Sequence, residues 1–133
     1  MERGTMDAMD DKKILIIDEE RFSRICSAIL SSEGYYTHVP ATTGEFFPLL
    51  NSGEFDLVIT SYPFGNGLMK RAGGLETPVI ILTDQIDWEL LQTLETLKNS
   101  CCLLKPLDYQ KFKNLVKQFC HTEYAAGSVH RLI

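Results

Sequence analysis

Short runs of branched apolar residues alternate with helical patterns along the whole chain, and this alternation constrains the fold more than any other feature. Ile14 to Ile17 is a continuous run of the kind found where both faces of a strand are covered. Tyr35 to Val39, Asp56 to Thr60, Val79 to Leu82 and Cys101 to Leu104 read as four further strands. Between the first two, Phe22, Ile25, Cys26, Ile29 and Leu30 recur at helical spacing, with Gly34 placed to end the helix. Strand and helix in strict alternation predict an α/β domain around a parallel sheet. The chain of 133 residues is long enough for one such domain with one sizeable core.

The helices differ in strength. Thr42 or Thr43 is a candidate cap for the second, but Pro48 inside it removes a backbone donor. A short or kinked helix through Phe46, Leu49 and Leu50 is expected, ending near Ser52-Gly53. After Ser61 the pattern breaks: Pro63, Gly65, Gly67, Gly73 and Gly74 leave a third helix of one turn, or none. The fourth helix runs from about Asp87 to Lys98, with Asp84 or Asp87 as cap. Its Trp88, Leu90, Leu91, Leu94 and Leu97 cover more than one stripe, so part of that surface is expected to meet a partner. Phe112, Leu115, Val116 and Phe119 give the last helix its buried face. Residues 1–11 read as a flexible tail and 12–120 as the domain. The tail from 121 to 133 is expected to be mobile or docked on a partner.

Composition excludes several classes. A net charge of −5 argues against nucleic acid, which needs clustered cations, and the basic trio Lys111, Lys113 and Lys117 reads as a solvated helix face. No apolar run reaches the roughly 18 residues of a membrane span, and the opening residues do not form a signal peptide. Cys101 and Cys102 are neighbours in a strand and so point to opposite faces, a poor arrangement for a shared metal. With Cys26 and Cys120 they read as buried, reduced thiols of a cytoplasmic protein.

Four segments carry a more specific signal. They are Lys13-Ile14-Leu15-Ile16-Ile17-Asp18-Glu19-Glu20, Asp56-Leu57-Val58-Ile59-Thr60-Ser61, Pro78-Val79-Ile80-Ile81-Leu82-Thr83 and Leu103-Leu104-Lys105-Pro106. Together they resemble the response-regulator receiver domains of two-component signalling, over roughly residues 12 to 120. The resemblance implies a flavodoxin-like, doubly wound, five-stranded parallel sheet in the order 2-1-3-4-5, here with its third helix shortened or missing. It implies that Asp18 and Glu19 match a metal-binding acidic pair, Thr83 the switch hydroxyl and Lys105 the phosphate-binding lysine. The Lys105-Pro106 bond matches a family position that is commonly cis. Ser61 stands where the family carries the aspartate that accepts a phosphoryl group.

A serine cannot form an acyl phosphate, and its hydroxyl is a weak nucleophile without a neighbouring base. Losing that carboxylate also weakens any Mg²⁺ site, because hard cations want oxygen ligands in near-octahedral geometry. Asp18, Glu19 and Lys105 then read either as a salt-bridged cluster or as a weak, vestigial cation site. Asp56 lies at the opposite end of its strand and cannot replace the missing acid. Cys102 stands where receivers carry an aromatic residue that moves on activation, and is too small for that movement. The expected function is a phosphorylation-independent signalling module, not an enzyme and without a resident cofactor. It would bind a signalling protein, or a second copy through the 87–98 helix, strand five and the last helix, with Trp88, Leu91 and Cys102 at the contact. The alternatives are an active Mg²⁺-dependent phosphoacceptor using a nonstandard residue, or a small-molecule-sensing domain with Gly65 to Gly74 as its anion loop.

Overall fold

The computed structural model describes residues 12–121 and 129–132. The order is β1 (Lys13–Ile17), α1 (Glu20–Ser32), β2 (Tyr36–His38), a 3-10 turn (Thr43–Glu45) running into α2 (Phe46–Leu50), β3 (Leu57–Tyr62), α3 (Asn66–Arg71), β4 (Val79–Thr83), α4 (Trp88–Thr96), β5 (Asn99–Leu104), α5 (Tyr109–His121) and β6 (Val129–Leu132). All strand pairs are parallel and lie in the order β2-β1-β3-β4-β5-β6. The expected five-strand core in the order 2-1-3-4-5 is present.

The register explains the continuous apolar runs. Ile16 lies opposite Ile59, Ile59 opposite Ile80, and Ile80 opposite Cys101. These side chains share one face, which α1 covers with Cys26 and Leu30, and α5 with Phe112, Leu115, Val116 and Phe119. Leu15, Ile17, Val58, Val79, Ile81 and Cys102 point the other way. There they meet Leu50 of α2, Met69 of α3, and Leu90 and Leu94 of α4. Both faces of the sheet are therefore dry, and the alternation of side chains places Cys101 and Cys102 on opposite sides as expected.

Local chemistry sets the helix ends. Gly34 takes a φ of 99° after α1, and Tyr35 N–H donates to Leu30 O at 3.2 Å to close the turn. Asp87 caps α4 by accepting from Leu90 N–H at 2.9 Å. Pro48 falls in the first turn of α2, where its missing N–H costs no hydrogen bond, so the helix is short but not broken. Neither Thr42 nor Thr43 gives α2 a side-chain cap, because the 3-10 turn supplies the entry instead. The third helix is present but only six residues long. It is tied to α4 through Asn66, which accepts from Thr93 Oγ1 at 2.6 Å and donates to Glu89 Oε2 at 3.0 Å. No helix among the described residues is long and apolar enough to cross a membrane.

Two expectations need correction. The tail from 121 to 133 contributes a sixth strand: Val129 to Leu132 pairs with Asn99 to Cys102 on the outer edge of β5. Strand five is thus an interior strand of the sheet, and its outer edge is covered by β6. Cys102 is 0 % exposed among the α4 side chains, so it offers no atom to an interface. Trp88 is 73 % exposed and Leu91 half-buried, which leaves the contact argument resting on α4. The expected flexible segment 1–11 lies outside the described residues, as do 122–128 and 133.

Candidate functional site

Parallel strands separated by helices place every strand's carboxyl end on one side of the sheet, and ligands of such folds bind there, where the strand order reverses. β1 delivers Asp18 and Glu19, β3 delivers Ser61, and the residue after β5 is Lys105. These four line one cleft of about 220 Å³, together with Phe22, Tyr62, Pro63, Phe64 and Asp84. Asp56 sits at the far end of the sheet, where it accepts from Lys13 N–H at 2.9 Å.

The groups inside the cleft are paired in a specific way. Ser61 is 5 % exposed, and its hydroxyl donates to Asp18 Oδ2. The other Asp18 oxygen accepts from Glu19 N–H at 2.8 Å. Burial nevertheless pushes the Asp18 carboxyl above the ordinary carboxylate range. The Ser61 and Glu19 hydrogen bonds and the Lys105 charge pull against that rise, while the Glu19 charge adds to it. Lys105 forms no ion pair with Asp18 or Glu19; its ammonium lies 5.0 Å from the ring centre of Phe22. The salt-bridged cluster expected from the sequence is therefore absent, since serine takes Asp18 and an aromatic ring takes the lysine.

Thr83 does not join the cleft. Its hydroxyl donates to Gln85 O at 2.7 Å and accepts from Gln85 N–H at 3.3 Å, so it stabilises its own loop. It lines a neighbouring depression with Tyr62, Asp84 and Asp87. The Lys105-Pro106 peptide is cis, as is Tyr62-Pro63.

The donor set does not fit a resident Mg²⁺. Asp18 has both oxygens engaged and its charged form is disfavoured, and Glu19 is the one further acid that the matched positions supply. Among the described residues no three His, Cys, Asp or Glu side chains converge as a metal group. Any Mg²⁺ here would take most of its six oxygens from water and would have to draw Asp18 away from its two hydrogen bonds.

Some participants were not legible beforehand. Tyr62 follows Ser61 and so points to the opposite face, where its hydroxyl donates to both Asp87 oxygens at 2.8 and 2.7 Å. That bond pushes the Tyr62 phenol up to about 12. Asp87 is held below the usual carboxylate range by the Leu90 N–H first and by Tyr62 second. The residue after the serine is thereby fastened to the start of α4. Gly65 has a similar hidden role, because a side chain there would collide with Thr60 Oγ1. Strand alternation and the glycine's position could have signalled these contacts; the partners lie 25 and five residues away respectively.

The Asp18 environment gives a pH prediction. A carboxyl whose folded pKa is raised contributes stability below its unfolded pKa and loses it as pH rises through the folded value. Folding stability should therefore fall as pH rises from the ordinary aspartate range through the raised folded value. Asp18→Asn keeps an oxygen that accepts from Ser61 and should remove this component. Its amide nitrogen then faces the Glu19 N–H and loses that hydrogen bond, so the expected result is a flattened pH dependence with little net change at neutral pH. Urea melts of both proteins across the acid range check this; parallel pH profiles would contradict it.

No protein-family model matches the chain, and no curated protein does. Solved structures do. The signal receiver domain of a two-component histidine kinase from Clostridium thermocellum superposes with a TM-score of 0.67 at 20% identity, over 84% of this chain and 98% of that one. The receiver domain of a response regulator from Bermanella marisrubri gives 0.68 at 12% identity, over 82% and 98%. The response regulator TrrA from Thermotoga maritima, solved in complex with Mg²⁺ and BeF, gives 0.62 at 22% identity, over 81% and 98%. The chain therefore has the fold of the CheY-like response-regulator receiver domains.

Proposed function

We propose that this chain is a receiver-fold signalling module that works through protein contact, without an acyl phosphate at position 61. The observation that carries the reading is the hydrogen bond from Ser61 to Asp18 at the end of β3. A hydroxyl placed there is a donor to the neighbouring acid, where a phosphoacceptor must be an anionic nucleophile. Asp18 is the base nearest to it, yet a carboxylate removes only a vanishing fraction of protons from an alcohol at neutral pH. An ester formed at Ser61 would in any case be stable, unlike the labile mixed anhydride that makes a relay reversible.

Two neighbouring groups support the same reading. Lys105 rests on Phe22, and Thr83 is bound into its own loop, so neither is aimed at an oxyanion. The exposed start of α4, with Trp88 at its head, is the surface left for a signalling partner. Intact mass after incubation with acetyl phosphate and Mg²⁺ tests the proposal. The expected spectrum is unchanged. A stoichiometric gain of one phosphoryl group would overturn the reading, and mapping the modified residue would then identify a nonstandard acceptor.

A further inference from the structure

We propose that the strand Val129–Leu132 is exchangeable, and that the edge of β5 is a pairing surface whose partner is the same strand of a second copy of this chain. Its foundation is the backbone pairing: Asn99 faces Val129, Ser100 faces His130, Cys101 faces Arg131 and Cys102 faces Leu132. β5 is six residues long, and Ser100 to Leu103 are buried within the sheet. Without β6 it would present a row of unpaired N–H and C=O groups along an apolar strand, the arrangement that accepts foreign strands most readily.

The cover over that edge is slight. β6 has four residues and is the outermost strand, with ladder bonds on one side only. Parallel ladders are also the weaker kind per residue. Such a strand opens locally at far lower cost than the interior strand it protects. A second copy offers the same residues in the same register, so exchange restores every backbone bond and changes only which chain supplies it. Reciprocal exchange closes as a two-fold dimer in which both β5 edges are again covered. The seven residues from 122 to 128 can span at most about 25 Å, so exchange requires the two β5 edges to lie close to one another. This proposal does not depend on the reading of Ser61, and its test uses no phosphoryl donor.

The test places a disulfide across the pairing in the full chain, with Asn99→Cys and Val129→Cys combined. Oxidised at low concentration, the variant is expected to give an internally linked monomer. Incubated at high concentration before oxidation, it should give a disulfide-linked dimer under denaturing, non-reducing conditions, which the wild type does not form. Internally linked monomer alone after concentrated incubation, or no linkage at all, overturns the proposal. A second measurement needs no substitution. Isotope-labelled and unlabelled wild-type chains, mixed at high concentration, should form mixed dimers in native mass spectra. Excess synthetic peptide covering residues 128–133 should abolish them. A dimer that withstands the peptide has another interface and overturns the proposal, as does a chain that remains monomeric throughout.

Discussion

Replacing Ser61 by aspartate is expected to lower the melting temperature by about 10 °C in metal-free buffer at neutral pH, and added Mg²⁺ should restore it. The serine hydroxyl is a neutral donor to Asp18 in a cleft that already raises that carboxyl. A carboxylate in its place removes the donor and sets two like charges at hydrogen-bond range, so one must take up a proton or the pair must separate. A cost of about 2–3 kcal/mol follows, which for a domain of this size is about 10 °C. Mg²⁺ reverses the sign of the interaction, because the new acid completes an anionic group with Asp18 and Glu19. The stabilisation then grows with the logarithm of metal concentration. The wild type should show no such dependence. Ser61→Ala separates the two effects: it also loses the hydrogen bond, at about 1–2 kcal/mol, but gains no response to metal. Melting curves of the three proteins with and without Mg²⁺ measure this directly. A Ser61→Asp variant as stable as wild type without metal would mean that the cleft is wetter, and Asp18 less confined, than the geometry shows.

Why the sequence revealed some of this and not the rest is a matter of which forces act locally. Continuous apolar runs such as Ile14 to Ile17 announce a strand with two dry faces, and the alternation with helical spacing leaves few ways to connect them. Asp87 as a cap and Gly34 as a stop are likewise written into neighbouring residues. The cleft was legible as a set of positions but not as a set of bonds. Asp18 and Ser61 are 43 residues apart, and the choice of serine over Lys105 as the partner of Asp18 is settled by side-chain reach and by the competing ring of Phe22. Thr83 shows the same limit, since its hydroxyl is claimed by a loop two residues on. β6 was missed for a different reason. A four-residue parallel edge strand is defined by its neighbour's open edge, and its composition carries little signal of its own.

The largest loss of stability is expected from the core beneath α5, where Phe112→Ala should cost about 3–5 kcal/mol. Phe112 is 0 % exposed and packs with Ile14, Ile16, Ile59, Ile80 and Cys101, so it joins α5 to the middle of the sheet. Truncation removes most of a ring's buried area and leaves a cavity between rigid strands that cannot close over it. Against a total stability of about 5–15 kcal/mol for an ordinary domain, that is enough to populate the unfolded state appreciably. Trp88→Ala is the matching control. It removes an equally large side chain, but one that is mostly in solvent, and should change stability by less than about 0.5 kcal/mol. Urea denaturation of both variants provides the comparison. If Phe112→Ala costs less than about 1 kcal/mol, α5 is not held to the sheet as described. If Trp88→Ala costs several, the exposed head of α4 is already packed against something, and the surface assigned to a partner is not free.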